Sequence, residues 1–312
     1  SAFAEAVLMS VRLTRRSKVL VSQALNPRYR QTVASYCRYL GLQLIETPYS
    51  PDGRTDIEKL SERIDKEVAA VVAGYPNYFG VVENLDALAV AAHDAGARMI
   101  AAVAEPISLG LLKSPGELGV DIVAGEGQGL GLPLSFGGPY LGFFASRQQD
   151  VRSMPGRLVG ETVDNNGQRG FVLTLATREQ HIRREKATSN ICSNQALCAL
   201  MSTVFMALLG KQGLRELAEQ NLAKAAYARQ QIAALDGFTP VFDAPFFNEF
   251  VIRSDRPLTQ LLADLEQQQI LAGIPLVRSY PELDNCLLIC VTEQKRRQDI
   301  DALVTALAGG AT

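Results

Sequence analysis

The chain has 312 residues, of which 47% are hydrophobic and 21% charged, so it can bury about three quarters of its unfolded surface, as a large domain with a smaller one does. Its net charge of −2 provides no basic stripe for a nucleic-acid backbone, which excludes nucleic acid as an expected partner. The longest uncharged apolar run, 195–210, is shorter than the roughly 20 residues that cross a bilayer, so no membrane partner is expected.

The N-terminal part of the chain alternates apolar strands with amphipathic helices. Ser1 stands where an N-cap would begin the first helix, and Asn26 followed by proline begins the second. Strands that alternate with helices favour an α/β fold with a mainly parallel sheet and helices on both faces. The predicted strands are 18–21, 42–46, 68–73, 99–103 and 119–123, and the predicted helices are 4–13, 26–40, 57–66 and 85–94.

A glycine-rich stretch at 124–144, AGEGQGLGLPLSFGGPYLGFF, precedes another strand-like run at 141–146. Its seven glycines and two prolines rule out a helix interior, because glycine costs about 1 kcal/mol there and proline about 3. Glycine also marks positive φ or the close approach of another backbone. The stretch is therefore predicted to be a shaped loop between two strands, where a site can be built.

A hairpin and a basic segment follow the glycine-rich stretch. Asn166 and Gly167 predict a type I′ hairpin turn, from which a strand runs back over 168–176. The segment 177–186 has two open interpretations: a solvated helix face, or arginines that bind a carboxylate or phosphate at a subunit interface. Its basic residues are Arg178, Arg183, Arg184 and Lys186.

Two long helices are predicted after the basic segment, at 196–209 and 214–235. The first is expected to be buried, because most of its faces are apolar. Ser193 or Asn194 is expected to cap it. Cys192 is interpreted as a small core residue, since no local feature lowers its pKa.

Gly237 ends the second of these helices, and a domain boundary is predicted there. The large domain comprises residues 1–236, and a small C-terminal α+β domain comprises residues 237–312. The predicted elements of the small domain are strands at 239–242, 249–253 and 286–291 and helices at 258–268 and 297–307.

The five cysteines are an odd number without CxxC spacing, which argues against a disulfide framework or a zinc site and favours a reducing cytoplasm. His93 and His181 have no Ser or Cys neighbour in sequence that would support a catalytic triad, so both are interpreted as structural residues. No metal site is predicted. The chain opens without Met on a helix-like sequence, so it is expected to begin inside a longer protein.

The glycine-rich stretch and the segment 153–197, SMPGRLVGETVDNNGQRGFVLTLATREQHIRREKATSNICSNQAL, closely resemble one family. They are similar to the first subunit of the two-subunit P-protein of the glycine cleavage system, a pyridoxal-phosphate-dependent, decarboxylating glycine dehydrogenase. The resemblance extends over residues 3–307. It implies the aminotransferase-like fold of the fold type I pyridoxal-phosphate enzymes, in an N-terminally truncated chain.

Enzymes of this type need a lysine that forms a Schiff base with the cofactor. In the catalytic partner family that lysine lies in an Asn-x-His-Lys motif, ahead of a proline and a glycine run. Aligning Pro133 and the pair Gly137 and Gly138 with this motif puts the lysine position at Gln128. A shift of one residue would put it at Gly129, and neither residue can form a Schiff base.

The resemblance implies a subunit with no catalytic residue of its own, inactive in isolation, that pairs with a homologous lysine-bearing subunit in a cytoplasmic heterotetramer. The partner would hold pyridoxal 5′-phosphate covalently. The holoenzyme would decarboxylate glycine and pass the aminomethyl group to the lipoyl group of H-protein. Glu105 and the loop 74–80 are expected beside the cofactor position, although the loop is as readily a plain turn. Residues expected near the shared site are Gln128, Gly137, Gly138, Arg178, Arg183 and Asn190.

Two other functions stay open. An autonomous aminotransferase-like or desulfurase-like enzyme would use Lys113 or Lys186 as its cofactor lysine, and would be a yellow protein that borohydride bleaches. A non-catalytic interaction module would keep the fold without the pocket, and would support no glycine decarboxylation with any partner.

Overall fold

The computed structural model describes residues 1–191 and 195–309. Its N-terminal strands are β1 (Lys18–Ser22), β2 (Gln43–Thr47), β3 (Val68–Gly74), β4 (Arg98–Val103), β5 (Ile122–Glu126) and β6 (Gly142–Ser146). They form one sheet in the order β2-β1-β3-β4-β5-β6, in which all neighbours are parallel except β5 and β6. The predicted α/β fold with a mainly parallel sheet is confirmed.

Helices cover both faces of this sheet: α1 (Ala2–Thr14), α2 (Pro27–Cys37), α3 (Ile57–Ser61) and α4 (Leu85–Asp94). Successive side chains of a strand point to opposite faces, and in β3 both faces are apolar. Ala70 and Val72 pack in one hydrophobic cluster with α1. Val71 and Ala73 pack in another with α4. The central strands are therefore buried on both sides.

The helix ends follow local chemistry. Asn26 caps α2, as predicted, because its Oδ1 accepts a hydrogen bond from the amide of Arg28 at 2.9 Å. Ser1 stands at the N-cap position of α1, but its side chain makes no capping hydrogen bond. The helix predicted to extend to residue 66 ends at Ser61, because the chain makes a tight turn there.

A two-stranded antiparallel hairpin, β7 (Leu158–Val163) and β8 (Arg169–Thr174), belongs to neither larger sheet. The chain turns at Asn166 and Gly167, as predicted, but the predicted turn type, I′, is wrong. Of the two residues only Gly167 has positive φ. The Asp164 carboxylate accepts hydrogen bonds from the amides two and four residues later, so a side chain shapes this turn.

The long helix α6 (Ala196–Ala233) replaces the two predicted helices. Gly210, with φ 61° and ψ −173°, breaks it into two parts. Before the break only Cys198 and Ser202 are buried, so the predicted burial of 196–209 is wrong. The side chains are apolar, but the described part of the chain does not cover them. The predicted cap residues and core cysteine lie outside the described residues: Ser193, Asn194 and Cys192.

The C-terminal elements are β9 (Phe238–Pro240), β10 (Glu249–Ser254), α7 (Leu258–Gln267), β11 (Ile274–Pro275), β12 (Cys286–Cys290) and α8 (Arg297–Leu307). The strands form an antiparallel sheet in the order β11-β12-β10-β9, and α6, α7 and α8 share its hydrophobic cluster. This sheet lies wholly beyond Gly237. The division into domains at that residue stays a prediction.

The two sheets meet at the loop that follows β3. A β-bridge joins Val81 to Phe246, and the amide of Phe247 donates to the carbonyl of Gly80 at 3.1 Å. Gly80 has φ +79° and lies so close to the backbone of Glu249 that a Cβ would collide with it. Aromatic rings from both parts pack together beside this contact: Tyr49, Phe79, Phe242 and Tyr280.

Within the described residues one helix, α6, is long and apolar enough to cross a membrane by length and composition alone. The break at Gly210 leaves a straight part over 196–209. At 1.5 Å per residue that part is about 21 Å long, short of the roughly 30 Å core of a bilayer. The helix is therefore weak evidence for a membrane span.

Candidate functional site

One carboxylate holds both ends of the glycine-rich loop between β5 and β6. Glu126, at the end of β5, accepts hydrogen bonds at Oε1 from the amides of Gln128 at 3.1 Å and Leu141 at 3.2 Å. The side chain of Gln128 is bonded within the same loop, because Nε2 donates to the carbonyl of Pro133 at 3.1 Å. Sequence reasoning missed Glu126, although a carboxylate at a strand end beside two glycines was a usable signal.

The outer part of the loop has an unusual backbone. Ser135, Phe136, Gly137 and Gly138 have successive positive φ values of 48°, 51°, 115° and 131°. Nothing lies within 4 Å of the place where a Cβ on Gly137 would stand. Among the described residues, Gly137 is therefore favoured by its backbone conformation rather than by the approach of another backbone.

A cleft of about 790 Å³ lies between the start of α1, the glycine-rich loop and the start of α6. Of the predicted site residues, Gly137 and Gly138 line it. Its charged side chains are Arg28 and Glu126, and Tyr29 lies beside them. Burial, together with the negative charge of Glu126, raises the pKa of Tyr29 to about 12. The cleft therefore has both signs of charge.

The basic segment 177–186 folds as single turns rather than as one helix face, and α5 spans only Gln180–Arg183. Arg178 is partly buried and donates to a backbone carbonyl through Nη1. Arg183 is exposed and donates to the carbonyl six residues earlier at 3.1 Å. Asn190 is exposed. None of these three is among the described residues that line the cleft, and their roles toward an anion stay predictions.

Glu105 follows β4 and faces the C-terminal sheet. Its carboxylate accepts from the amide of Ile107 at 3.0 Å and from Nδ2 of Asn248 at 3.4 Å. Burial raises the pKa of Glu105, and the charge of Glu293 adds to this effect. Burial and the charge of Glu105 raise the pKa of Glu249 to about 7. Sequence pattern does not reveal this pair, because its members lie far apart along the chain.

Each histidine pairs with a carboxylate. Nε2 of His93 lies 2.7 Å from Oδ2 of Asp121, and Nδ1 of His181 lies 3.8 Å from Oε2 of Glu179. Neither histidine is among the described residues that line the cleft. Over 1–191 and 195–309, no group of three or more His, Cys, Asp or Glu side chains could hold a metal ion.

The family model described as glycine cleavage system P-protein matches residues 1–307. The chain belongs to this family. It is 52% identical over 309 residues to a probable glycine dehydrogenase (decarboxylating) subunit 1 from Moorella thermoacetica, covering 99% of this chain and 69% of that relative. A protein of the same description from Desulfitobacterium hafniense is also 52% identical, covering 98% of this chain and 68% of the relative.

Solved structures agree with the P-protein assignment. The crystal structure of an inhibitor-bound glycine decarboxylase, the P-protein of the glycine cleavage system, superposes with a TM-score of 0.93 at 42% identity. The match covers 99% of this chain and 69% of that one. A cysteine desulfurase from Escherichia coli has a TM-score of 0.70 at 16% identity, over 97% and 76% of the two chains, which shows the fold alone. The predicted aminotransferase-like fold is confirmed.

The cleft of this P-protein chain does not fit pyridoxal phosphate, the cofactor of enzymes with this fold, as a covalent ligand. A covalent site needs a lysine amine. The resemblance puts the lysine position at or next to Gln128. The side chain of Gln128 is an amide and is hydrogen-bonded within its own loop. No lysine is among the described residues that line the cleft. The lining that the structure describes therefore offers no lysine amine for a Schiff base.

Proposed function

We propose that this chain is the subunit without the cofactor lysine in a two-subunit glycine dehydrogenase (decarboxylating). The observation that carries the proposal is the glycine-rich loop of a P-protein whose relatives are named subunit 1. The family motif puts the lysine position at or next to Gln128 of this loop, and the side chain of Gln128 is hydrogen-bonded within the loop. Those names imply a second subunit. The chain acts as part of an enzyme, and in isolation it is inactive.

In this proposal the second subunit holds pyridoxal phosphate, which accepts the electrons left when glycine loses carbon dioxide. The aminomethyl group then passes to the lipoyl group of H-protein. The two kinds of subunit form a cytoplasmic heterotetramer. Glycine and H-protein therefore bind the assembly rather than this chain alone.

This chain contributes a shaped wall. Glu126 bonds to both ends of the glycine-rich loop and Gln128 bonds within it, so hydrogen bonds of the loop itself hold its geometry. A fixed wall excludes water from a neighbouring site and keeps substrate in place. Arg178 and Arg183 would supply guanidinium groups that bind a carboxylate or phosphate at the subunit interface.

Borohydride reduction tests the proposal. The purified chain is incubated with pyridoxal phosphate, reduced, and weighed by intact-protein mass spectrometry. We expect the unmodified mass, because Gln128 has no nucleophilic amine. When the lysine-bearing subunit is added, the pyridoxyl adduct should appear on that subunit alone. Exchange of labelled bicarbonate into the carboxyl group of glycine, with lipoyl H-protein present, should occur only in the mixture.

The two rival functions give different results. A stoichiometric adduct on Lys113 or Lys186 of the isolated chain would establish an autonomous enzyme and contradict the proposal. Both side chains are exposed and outside the described lining of the cleft. If the mixture shows no exchange although the second subunit carries its cofactor, the chain is a non-catalytic interaction module.

A further inference from the structure

Exposed apolar side chains lie on two elements that border the same cleft, the glycine-rich loop and the first part of α6, and together they are here called the apolar face. They are Leu134, Phe136, Tyr140, Leu197, Leu200 and Leu208. Loop and helix are in contact, because both line the cleft and because Gly131 lies against Phe205. Neither 127–146 nor 195–210 contains a charged residue. An exposed apolar area without charges at its centre is typical of a protein interface.

Phe136 is the most exposed large apolar side chain of the described residues, and its backbone is strained. Its φ of 51° lies in the left-handed region, which a bulky residue rarely adopts. Ser135 before it and the two glycines after it have positive φ as well. Among the described residues the exposed ring has little packing that would offset the strain, so the strained conformation points to a contact beyond them.

We propose that Phe136 is the anchor side chain through which this chain binds the lysine-bearing subunit, and that the apolar face is the centre of that interface. The inference rests on the proposed function, which supplies the second subunit. An aromatic ring on a preformed loop loses little conformational freedom on binding. Aromatic residues of this kind dominate the binding energy of many interfaces.

The second subunit suits the apolar face better than a membrane does. Helices that lie in a membrane surface carry Lys and Arg on their polar side, and 195–210 has none. The same helix is too short before Gly210 to cross a bilayer. The relatives named subunit 1, in contrast, call for a protein partner.

Affinity and stability measured together test the inference. Titration calorimetry with the lysine-bearing subunit from the same source should show that Phe136→Ala weakens binding by about 30-fold or more. Phe136→Gly should weaken it as much, yet its thermal unfolding midpoint should equal or exceed that of wild type, because glycine adopts φ near 51° without strain. A residue with a purely structural role would lower the midpoint instead.

The matched control is Tyr39→Ala, which removes an aromatic side chain that is also highly exposed but lies at the end of α2, next to Arg38. Its affinity should equal that of wild type. If wild type does not bind the second subunit, the proposed function fails. If wild type binds and Phe136→Ala binds equally well, this inference alone is overturned. It is also overturned if Phe136→Ala abolishes only sedimentation with phosphatidylglycerol vesicles, because the face would then be a membrane surface.

Discussion

Two carboxyl groups near the contact between the sheets show how burial and hydrogen bonding differ in their effects. Glu83 is buried, and burial raises its pKa to about 7. It accepts hydrogen bonds from the amide and hydroxyl of Thr55 and from Nδ2 of Asn77, at 2.9–3.1 Å. Glu249 is partly buried, and its carboxylate accepts no hydrogen bond from any described residue. The charge of Glu105 lies nearby. Replacing the carboxylate by a neutral amide should therefore lower the stability of the folded chain at Glu83 and raise it at Glu249.

Glu249→Gln should remove a pH-dependent loss of stability. A carboxyl group whose pKa rises on folding from 4.5 to about 7 stabilises the folded chain below the lower value, and this contribution is lost as the pH rises through the higher one. Between about pH 5 and about pH 8 the wild-type chain should lose on the order of 2 kcal/mol of unfolding free energy from this group. The variant should not, and urea unfolding at both pH values measures the difference.

The control for this prediction is Glu266→Gln, which neutralises an exposed carboxylate of α7 and should leave the pH dependence as in wild type. Glu83→Gln should instead lower stability at every pH, because an amide nitrogen would face the hydrogen-bond donors of Thr55 and Asn77. Equal pH dependence in wild type and Glu249→Gln would contradict the assignment.

At the scale of elements, α6 consists of two helical parts that differ in burial. The part after Gly210 packs on the C-terminal sheet, and Ala225, Ala228 and Ile232 lie in its hydrophobic cluster. The part before Gly210 carries the apolar side chains that the described chain leaves exposed. The break therefore separates a segment that stabilises this chain from a segment that is available to another.

Gly210→Ala should destabilise the chain by about 1–2 kcal/mol, because φ 61° with ψ −173° is a conformation that essentially only glycine adopts. The cost is conformational, since nothing lies within 4 Å of the added Cβ. Gly116→Ala is the matched control. Its Cβ also meets open space and its φ is not positive, so its free energy of unfolding should equal that of wild type. Chemical unfolding of both variants gives the comparison. If Gly210→Ala has the unfolding free energy of wild type, residue 210 does not need the conformation that breaks α6.

Sequence predicted those elements that local chemistry determines. α4 and α8 have the predicted bounds, and α8 begins with a capping box between Arg296 and Asp299. The hairpin turn was assigned the wrong type, because the side chain of Asp164 shapes it. The burial of 196–209 was predicted wrongly for a different reason. Apolar composition says that a surface should be covered, but not which chain covers it.

In the candidate site, too, the sequence predicted what local motifs determine and missed the long-range contacts. The glycine-rich loop follows from its composition, and Gly137 and Gly138 of this loop line the cleft, whereas the role of Gln128 stays a prediction. Glu126 acts on residues two and fifteen positions later, and Glu249 faces a carboxylate that precedes it by more than a hundred residues. Contacts of this kind depend on the folded topology, which a single sequence pattern does not determine.

At the scale of the whole molecule, the apolar face predicts self-association. Obligate interfaces bury more than about 2,000 Å² and have an apolar centre. The isolated chain should therefore pair with a second copy at micromolar concentration and sediment at about twice its mass of 33.8 kDa. Addition of the proposed second subunit should displace this pairing if its interface with this chain is better matched. A monomer at every concentration would contradict the prediction.

Phe136→Ala offers a check on that measurement. If the same face mediates both contacts, the variant should sediment as a monomer under conditions in which wild type is paired. A variant that pairs as well as wild type would place self-association on a different surface.

The contact between Gly80 and the backbone of Glu249 has a consequence for how this chain can move. Beside this contact, the amide of Val82 donates to the carbonyl of Pro245 at 2.8 Å. The two sheets are therefore joined by direct backbone contacts, with no flexible side chain between them. Rotation of one sheet against the other would break these bonds, whereas many enzymes close such a joint around their substrate. We therefore expect the two sheets to move as one body. The entropy of fixing their arrangement is lost when the chain folds, before any partner binds, so binding itself does not have to order the two sheets.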